Sequence, residues 1–129
     1  MKTVVMCGSR RFKPEIREFA KRLKRLGVVV YEPYLHSGQD EWNKLSDDYK
    51  KFVALGLTHD HFYKIQMADV VFVFNKDGYA GNSTTLEIGY AVAFGKPIYA
   101  LSGDSKELCR HVLFREIISS PTALARKLK

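Results

Sequence analysis

The sequence predicts an α/β fold in three layers, built around a doubly wound, mostly parallel sheet. Apolar, strand-like runs alternate along the chain with segments of helical periodicity, which is the pattern of such folds. The run over residues 70–74 is apolar without interruption, as expected of a strand buried on both faces. The length of 129 residues suits one hydrophobic core, so we expect a single domain over residues 1–129.

The first three elements follow directly from local patterns. Thr3–Cys7 is an apolar run and is the first predicted strand. Lys13–Leu26 has the helical period, with Pro14 where a helix tolerates proline and Gly27 where a helix commonly ends. Val28–Tyr31 is again apolar and short, and is the second predicted strand.

The middle of the chain is more polar. Tyr34–Asp40 has the composition of a loop, and Glu41–Leu55 is predicted as a helix of mixed polarity. Thr58–Met67 is predicted as a separate helix, with Phe62 and Ile65 facing inward.

The remaining elements alternate regularly. Asp69–Asn75 is the central strand, and Thr84–Phe94 is a helix that ends at a Gly-Lys-Pro sequence. The other predicted elements are a strand over Ile98–Leu101, a helix over Lys106–Leu113, a short strand over Phe114–Ile118 and a closing helix over Pro121–Leu128.

This alternation predicts where a ligand would bind. Right-handed crossovers place the first and third strands side by side, at a point where the strand order reverses. The loops over Gly8–Phe12 and Lys76–Thr85 then converge at the carboxyl ends of these two strands. Ligands of open α/β sheets bind in such crevices.

Composition indicates a soluble protein. Apolar residues make up 46% of the chain and the mean hydropathy is -0.22, with no run long enough to span a membrane. Met1 leads directly into a strand without a signal-peptide pattern, so we expect a cytoplasmic location.

Cys7 and Cys109 are too few and too distant for a disulfide framework or a metal knuckle, and we expect Cys7 to be a buried thiol.

The net charge of +7 is concentrated at one end of the chain. The first 30 residues contain nine lysines and arginines against two glutamates, so the rest of the chain is neutral. A basic helix is compatible with nucleic-acid binding. We favour a solvated helix face, because no aromatic residues interleave with the charges as stacking platforms would, and nucleic acid is not an expected partner.

Glu87 is the leading candidate for a reacting group. It follows the central strand and a loop containing Gly81, and the predicted helix places its carboxylate in the first turn. There the helix dipole would favour the ionised form that a nucleophile needs. The alternative is a capping box, in which Thr84 and Glu87 satisfy each other's backbone donors.

The turn after the first strand has the features of an anion site. Gly8 and Ser9 offer backbone N–H groups and a hydroxyl at a helix start, and Arg10 and Arg11 offer guanidinium groups suited to phosphate. An ordinary tight turn with both arginines solvated is the alternative. The turn lacks the glycine pattern of a P-loop or a dinucleotide fingerprint.

Other polar residues are weaker candidates. His59, Asp60 and His61 are consecutive, and residues two apart on a helix face different directions, so we expect no metal site there. Asp69 stands at the start of the central strand and is expected to form local hydrogen bonds. Tyr79 is most simply a rim aromatic, although it could stack on a base.

Three segments resemble the nucleoside 2-deoxyribosyltransferase family, including its deoxynucleoside 5'-monophosphate N-glycosidase branch. They are Val-Met-Cys-Gly-Ser-Arg-Arg over residues 5–11, Ile-Gln-Met-Ala-Asp-Val-Val over 65–71, and Thr-Leu-Glu-Ile-Gly-Tyr-Ala-Val-Ala-Phe-Gly-Lys-Pro over 85–97. The resemblance implies a flavodoxin-like, Rossmann-like fold and cleavage of the N-glycosidic bond of nucleosides or nucleotides. It also implies a homodimer or larger homo-oligomer, and no metal or redox cofactor.

The resemblance also implies roles for particular residues. The family's nucleophilic glutamate, which attacks the anomeric carbon, matches Glu87. The phosphate-holding parts of the nucleotide-cleaving branch match the turn residues Gly8, Ser9 and Arg11 and the loop residues Gly81, Asn82 and Ser83.

The chain departs from the family pattern at two positions. The family has an aspartate eight positions before the aspartate matched by Asp69; this chain has His61 there, with Asp60 one place away. A tyrosine of the nucleotide-cleaving enzymes is matched by Val5. Either His61 or Asp60 takes over proton transfer to the leaving base, or the chemistry has changed or been lost. A nucleotide-binding or sensing module of the same fold is the alternative function.

Overall fold

A computed structural model describes residues 1–35 and 38–129 of the chain. The predicted loop over residues 34–40 therefore includes two positions, 36 and 37, that lie outside the described residues. The strands are β1 (Val4–Gly8), β2 (Val30–Tyr31), β3 (Val70–Phe74), β4 (Ile98–Ala100) and β5 (Glu116–Ile117). The helices are α1 (Lys13–Arg25), α2 (Gln39–Asn43), α3 (Asp47–Met67), α4 (Asn82–Ala93), α5 (Leu108–His111) and α6 (Pro121–Leu128).

The five strands form one parallel sheet in the order β2-β1-β3-β4-β5. This confirms the predicted α/β, doubly wound fold and the pairing of the first and third strands. The β1–β3 ladder is the longest, running from Val4 opposite Val70 to Gly8 opposite Phe74. The strand order reverses between these two strands, so their carboxyl ends flank the expected crevice.

Alternate residues of the central strands enter two separate cores. On one face of the sheet, Val4, Met6 and Phe72 pack with side chains of α1 and α6. On the other face, Val5 and Cys7 pack with residues of α3 and α4. The period of two in β1 and β3 thus produces three layers, and it directs Cys7 toward the α3–α4 side.

Several predicted boundaries are wrong. The predicted helices Glu41–Leu55 and Thr58–Met67 are instead the short helix α2, which ends at Asn43, and the long helix α3, which continues from Asp47 through Gly56 to Met67. Helix α3 begins at Ser46, whose hydroxyl accepts a hydrogen bond from the Tyr49 amide, an N-cap that the sequence prediction missed. Strand β2 has only two residues, and α4 begins two residues before the predicted Thr84. Helix α5 and strand β5 are shorter than predicted.

Among residues 1–35 and 38–129, no helix combines the length and the apolar character needed to cross a bilayer.

Candidate active site

The turn after β1 passes very close to its neighbours. A Cβ atom at Gly8 would lie 2.8 Å from Cδ1 of Ile16 and 3.1 Å from the carbonyl oxygen of Phe74. Only glycine fits this position without a shift of the β3 backbone. The close approach keeps the carboxyl ends of β1 and β3 together, as the predicted convergence of their loops requires.

Helices α3 and α4 bring His61 and Glu87 to each other. Phe62 and Tyr90 stack between the helices, with ring centroids 4.2 Å apart and planes 5° from parallel. Next to this contact, Nε2 of His61 lies 3.7 Å from Oε1 of Glu87. His61 is 5% exposed, and the Glu87 side chain is 16% exposed. Glu87 therefore lies at the edge of solvent, with His61 behind it.

The capping-box interpretation of Glu87 is wrong. Helix α4 begins at Asn82 after the N-cap residue Gly81, so Glu87 lies in the second turn, away from the backbone donors that a capping box satisfies. The expectation that the carboxylate sits in the first turn is wrong for the same reason. The helix dipole weakens beyond the first turn, so it is not what determines the charge of Glu87.

A third side chain completes the cluster. Sγ of Cys7 lies 3.3 Å from Nε2 of His61, and the thiol is fully buried at the end of β1. The sequence predicted a buried thiol but gave no partner for it. Cys7 and His61 are 54 residues apart, and the only available signal was the position of Cys7 at the carboxyl end of β1.

Burial determines the protonation of the cluster. It raises the pKa of Glu87 from 4.5 to about 8, although a hydrogen bond with Cys7 opposes the change. It lowers the pKa of His61 from 6.5 to about 4, and the charge of Lys64 acts in the same direction. Burial, followed by the charge of Glu87, raises the pKa of the Cys7 thiol well above 9. All three groups are thus held in their neutral forms at neutral pH.

A crevice of about 360 Å³ is lined by residues that include Leu57 of α3 and Ser83 of α4. Leu57 precedes His61 by one turn on α3, and Ser83 precedes Glu87 by one turn on α4, so the crevice lies one helical turn from the His61–Glu87 pair. Neither His61 nor Glu87 itself lines it. Trp42 of α2 forms another wall, and nothing in the sequence pattern singled it out.

The two arginines of the β1 turn have different positions. Arg10 lines the crevice, and its Nη1 donates to the carbonyl of Tyr34 at 3.4 Å. The Arg11 guanidinium lies 3.7 Å above the ring of Tyr79. The Ser9 hydroxyl accepts a hydrogen bond from the Arg11 amide and caps a short 3-10 turn. Of the two, Arg10 is therefore the one that lines the crevice.

The residues predicted to form the loop before Glu87 are the beginning of α4. Gly81 is its N-cap, and Asn82 and Ser83 are its first two residues. Within the described part of the chain, no side chain caps this helix. Its first N–H groups therefore offer donors at the same end of the sheet as Arg10, an arrangement that suits an anion.

Asp60 and Asp69 lie away from the cluster. The Asp60 side chain is half exposed and pairs with Nζ of Lys64 at 2.9 Å, one turn along α3. The Asp69 carboxylate accepts hydrogen bonds from the amide and hydroxyl of Thr3, which lower its pKa and join the amino ends of β1 and β3. Asp69 was expected to form local hydrogen bonds; it does form hydrogen bonds, but its partner Thr3 is 66 residues away in the sequence, on the neighbouring strand end.

Two polar connections that the sequence did not reveal support the rim of the crevice. The Asn75 amide is fully buried and exchanges two hydrogen bonds with the backbone of Ser102, joining the ends of β3 and β4. The buried carboxylate of Asp104 accepts a hydrogen bond from Nε of Arg110 at 2.6 Å. Nη1 of Arg110 then donates to the Thr85 hydroxyl, two residues before Glu87.

Comparison with solved structures reveals the same fold in other proteins. A conserved protein from Enterococcus faecalis V583 has a TM-score of 0.64 at 16% identity, covering 99% of this chain and 97% of the other. A 2-deoxyribosyltransferase from Bacillus psychrosaccharolyticus has a TM-score of 0.66 at 16% identity, covering 95% and 90%. A CMP N-glycosidase from Clostridium botulinum has a TM-score of 0.55 at 22% identity, covering 98% of each chain.

No curated protein sequence matches the chain. The sequence profile of the nucleoside 2-deoxyribosyltransferases does match it, over residues 4–119, from the start of β1 to the segment before α6. The matched range contains all three side chains of the Cys7–His61–Glu87 cluster and the whole crevice. The chain therefore belongs to the nucleoside 2-deoxyribosyltransferase family.

Proposed function

We propose that the protein cleaves the N-glycosidic bond of a nucleoside or nucleoside 5'-monophosphate, with Glu87 as the nucleophile. The observation that carries the proposal is the position of the Glu87 carboxylate: it lies 3.7 Å from Nε2 of His61 and partly open to solvent, instead of capping its own helix. The family membership and the two related enzymes, one a deoxyribosyltransferase and one an N-glycosidase, support the same reaction class.

The proposed reaction has two steps. In the first, an oxygen of Glu87 bonds to C1' while the bond from C1' to the base nitrogen breaks, through an oxocarbenium-like transition state as in retaining glycosidases. The leaving base takes up a proton. In the second step water, or a second base, displaces the carboxylate from C1' and restores Glu87.

His61 is the proposed route for that proton. At pH 7 only about a tenth of a carboxyl with a pKa near 8 is ionised, so Glu87 must lose a proton before it attacks. Nε2 of His61 is 3.7 Å away and can relay this proton toward the leaving base. Asp60 is a weaker candidate for the same role, because it is half exposed and paired with Lys64.

The test is release of free base from a panel of nucleosides and 5'-monophosphates, followed by chromatography. We expect release by the wild type and a loss of at least about a thousandfold in Glu87→Gln, which retains the shape but not the nucleophile. Glu18→Gln, on the exposed side of α1, is the matched control and should retain full activity. Equal release by the wild type and Glu87→Gln would refute the proposal.

A non-catalytic nucleotide-binding module is the second candidate function. The observation in its favour is that burial holds Glu87 protonated at neutral pH, which is unfavourable for a nucleophile. A mononucleotide that raises the melting temperature of the wild type without any base release would support this function and exclude the enzymatic one.

The proposed phosphate subsite consists of Arg10, the Gly8–Ser9 turn and the beginning of α4 at Gly81–Ser83. Its support is that Arg10 and Ser83 line the same crevice, next to uncapped N–H groups. Arg10→Ala should reduce kcat/KM for 5'-monophosphates by about tenfold or more and leave nucleosides nearly unaffected. Arg126→Ala, exposed on α6, is the control. Equal losses on both substrate classes would contradict this subsite.

We also propose that the protein is a homo-oligomer. Tyr49, Phe52, Tyr63 and Met67 are exposed on one face of α3, at separations that match the helical repeat. Exposed apolar patches of this kind mark interaction surfaces. The buried side of the same helix carries His61.

A further inference from the structure

Three elements contribute soft and hard donor atoms to one small volume. The cluster consists of Sγ of Cys7 from β1, Nε2 of His61 from α3 and a carboxylate oxygen of Glu87 from α4, all within 4.8 Å of one another. The Sγ–Nε2 distance is 3.3 Å and the Nε2–Oε1 distance is 3.7 Å. The proposed glycosidic chemistry uses Glu87 and His61, but it gives no role to the thiol.

These separations are those of ligands around one zinc ion. With Zn–S near 2.3 Å and Zn–N and Zn–O near 2.0–2.2 Å, tetrahedral ligand atoms lie about 3.3–3.6 Å apart. The Sγ–Nε2 and Nε2–Oε1 distances match this spacing to within a few tenths of an ångström, and all three donor atoms lie within 4.8 Å of one another. The set of thiolate, imidazole and carboxylate favours Zn²⁺ over Mg²⁺ or Ca²⁺, which prefer oxygen ligands.

The imidazole is oriented for this use. Nε2 points at the other two donors, and Nδ1 is buried without a hydrogen-bond partner in the described residues. A ligand at Nε2 places the imidazole proton on Nδ1, so the metal-bound form requires an acceptor for that N–H, such as a water molecule, which the described residues do not supply.

We propose that Cys7, His61 and Glu87 form an inhibitory binding site for Zn²⁺. Binding would displace the proton of the thiol and any proton on the carboxyl to solvent, leaving a thiolate, a carboxylate and a neutral imidazole on the ion. The fourth position would face solvent on the Glu87 side, because Glu87 is the most exposed of the three ligands. The metal site itself is independent of the proposed function; only its inhibitory effect rests on that function, because the ion occupies the carboxylate needed for attack.

The test is a titration with Co²⁺ as a spectroscopic substitute for Zn²⁺. We expect one equivalent to produce a thiolate-to-cobalt charge-transfer band and tetrahedral visible bands, both abolished by added Zn²⁺. Cys109→Ser is the matched control, because Cys109 is the exposed second cysteine and should leave the spectrum unchanged. Cys7→Ser should lose the charge-transfer band and bind Zn²⁺ more than about a hundredfold more weakly.

Several outcomes would overturn the site. They are a wild type without a charge-transfer band, a band that persists in Cys7→Ser, and a band that disappears in Cys109→Ser. Circular dichroism checks that each variant is folded. If Cys7→Ser does not fold, X-ray absorption at the zinc edge of the Zn²⁺-bound wild type replaces this comparison. A zinc ion without a sulfur ligand would exclude the site. Base release by metal-free protein, prepared with a chelator, should fall when one equivalent of Zn²⁺ is added and return when the chelator is restored. Base release that Zn²⁺ leaves unchanged would overturn the inhibitory role. A protein that gives the cobalt spectrum but releases no base even when metal-free keeps the metal site and loses the proposed function.

Discussion

At the scale of single residues, burial rather than helix position determines the chemistry of Glu87. A carboxylate in the first turn of a helix would be favoured in its ionised form. Glu87 lies one turn further along α4, where the side chain is mostly buried against Cys7 and His61, so its pKa rises to about 8. The candidate nucleophile is therefore held as a carboxylic acid. Ionising it in the folded protein lowers the free energy of unfolding.

Glu87→Gln should make the protein more stable at alkaline pH. Because the pKa of Glu87 is higher in the folded protein than its ordinary value of 4.5, the folded state binds this proton more tightly than the unfolded chain does. The associated stability is present below pH 4.5 and is lost as the pH rises through 8. From pH 4.5 to pH 9, the free energy of unfolding of the wild type should fall relative to the variant by at most about 5 kcal/mol.

Urea unfolding of both proteins across this pH range measures the effect. The lowered pKa of His61 contributes in the opposite direction, with stability present above pH 6.5 and lost as the pH falls through 4. Both proteins contain His61, so the difference between them isolates Glu87. Parallel stability curves for the two proteins would contradict a raised pKa.

Sequence reasoning found part of this site and could not find the rest. Glu87 is predictable because it lies in a segment that resembles the family, and His61 because it occupies the position of a family aspartate. The segment that contains Cys7 predicts a buried thiol but no partner for it, and no pattern marks Trp42. The places of Cys7 beside His61 and of Trp42 beside the crevice depend on how β1, α2 and α3 pack, which local sequence does not determine.

At the scale of elements, the prediction succeeded where the hydrophobic period was strong. Strands β1 and β3 and helix α1 were predicted to within two residues. Helix α3 was divided at Gly56, because an interior glycine costs about 1 kcal/mol and usually weakens a helix. Here α3 is anchored by the Ser46 cap and by its packing against α4, which outweigh that cost. The wrong start of α4 arose because Thr84 and Glu87 imitate a capping box.

Asp104 should stabilise the start of α4 through Arg110. Its carboxylate has no solvent exposure and accepts hydrogen bonds from Arg110 and from the Glu107 amide. Arg110 in turn donates a hydrogen bond to the Thr85 hydroxyl in the first turn of α4. Asp104→Asn leaves Arg110 without its anionic partner, so the free energy of unfolding should fall by about 2 kcal/mol.

Chemical denaturation of Asp104→Asn and of a surface variant tests this connection. Glu116→Gln breaks the exposed ion pair with Lys127 and should leave the stability nearly unchanged. If both substitutions change the free energy of unfolding by the same amount, the buried Asp104–Arg110 pair contributes no more to stability than the exposed Glu116–Lys127 pair.

At the scale of the whole molecule, the candidate active site lies on one side of the doubly wound sheet. The face of the sheet covered by α1 and α6 holds one of the two hydrophobic cores, and the face covered by α3 and α4 carries the Cys7–His61–Glu87 cluster. The outer side of α3 leaves large apolar side chains in water. A second copy of the chain is the proposed partner for that outer side.

Phe52→Glu should therefore convert the oligomer into a monomer without unfolding it. The Phe52 side chain is 72% exposed in the single chain, so a charge there costs the fold little, whereas in a contact between copies it would be buried without a partner. Leu108→Glu, at a comparably exposed apolar residue on α5, should leave the assembly intact. Sedimentation velocity at micromolar concentration distinguishes the species. A wild type that sediments as a monomer, or a Phe52→Glu protein that sediments as the wild-type oligomer does, would remove α3 as the contact surface.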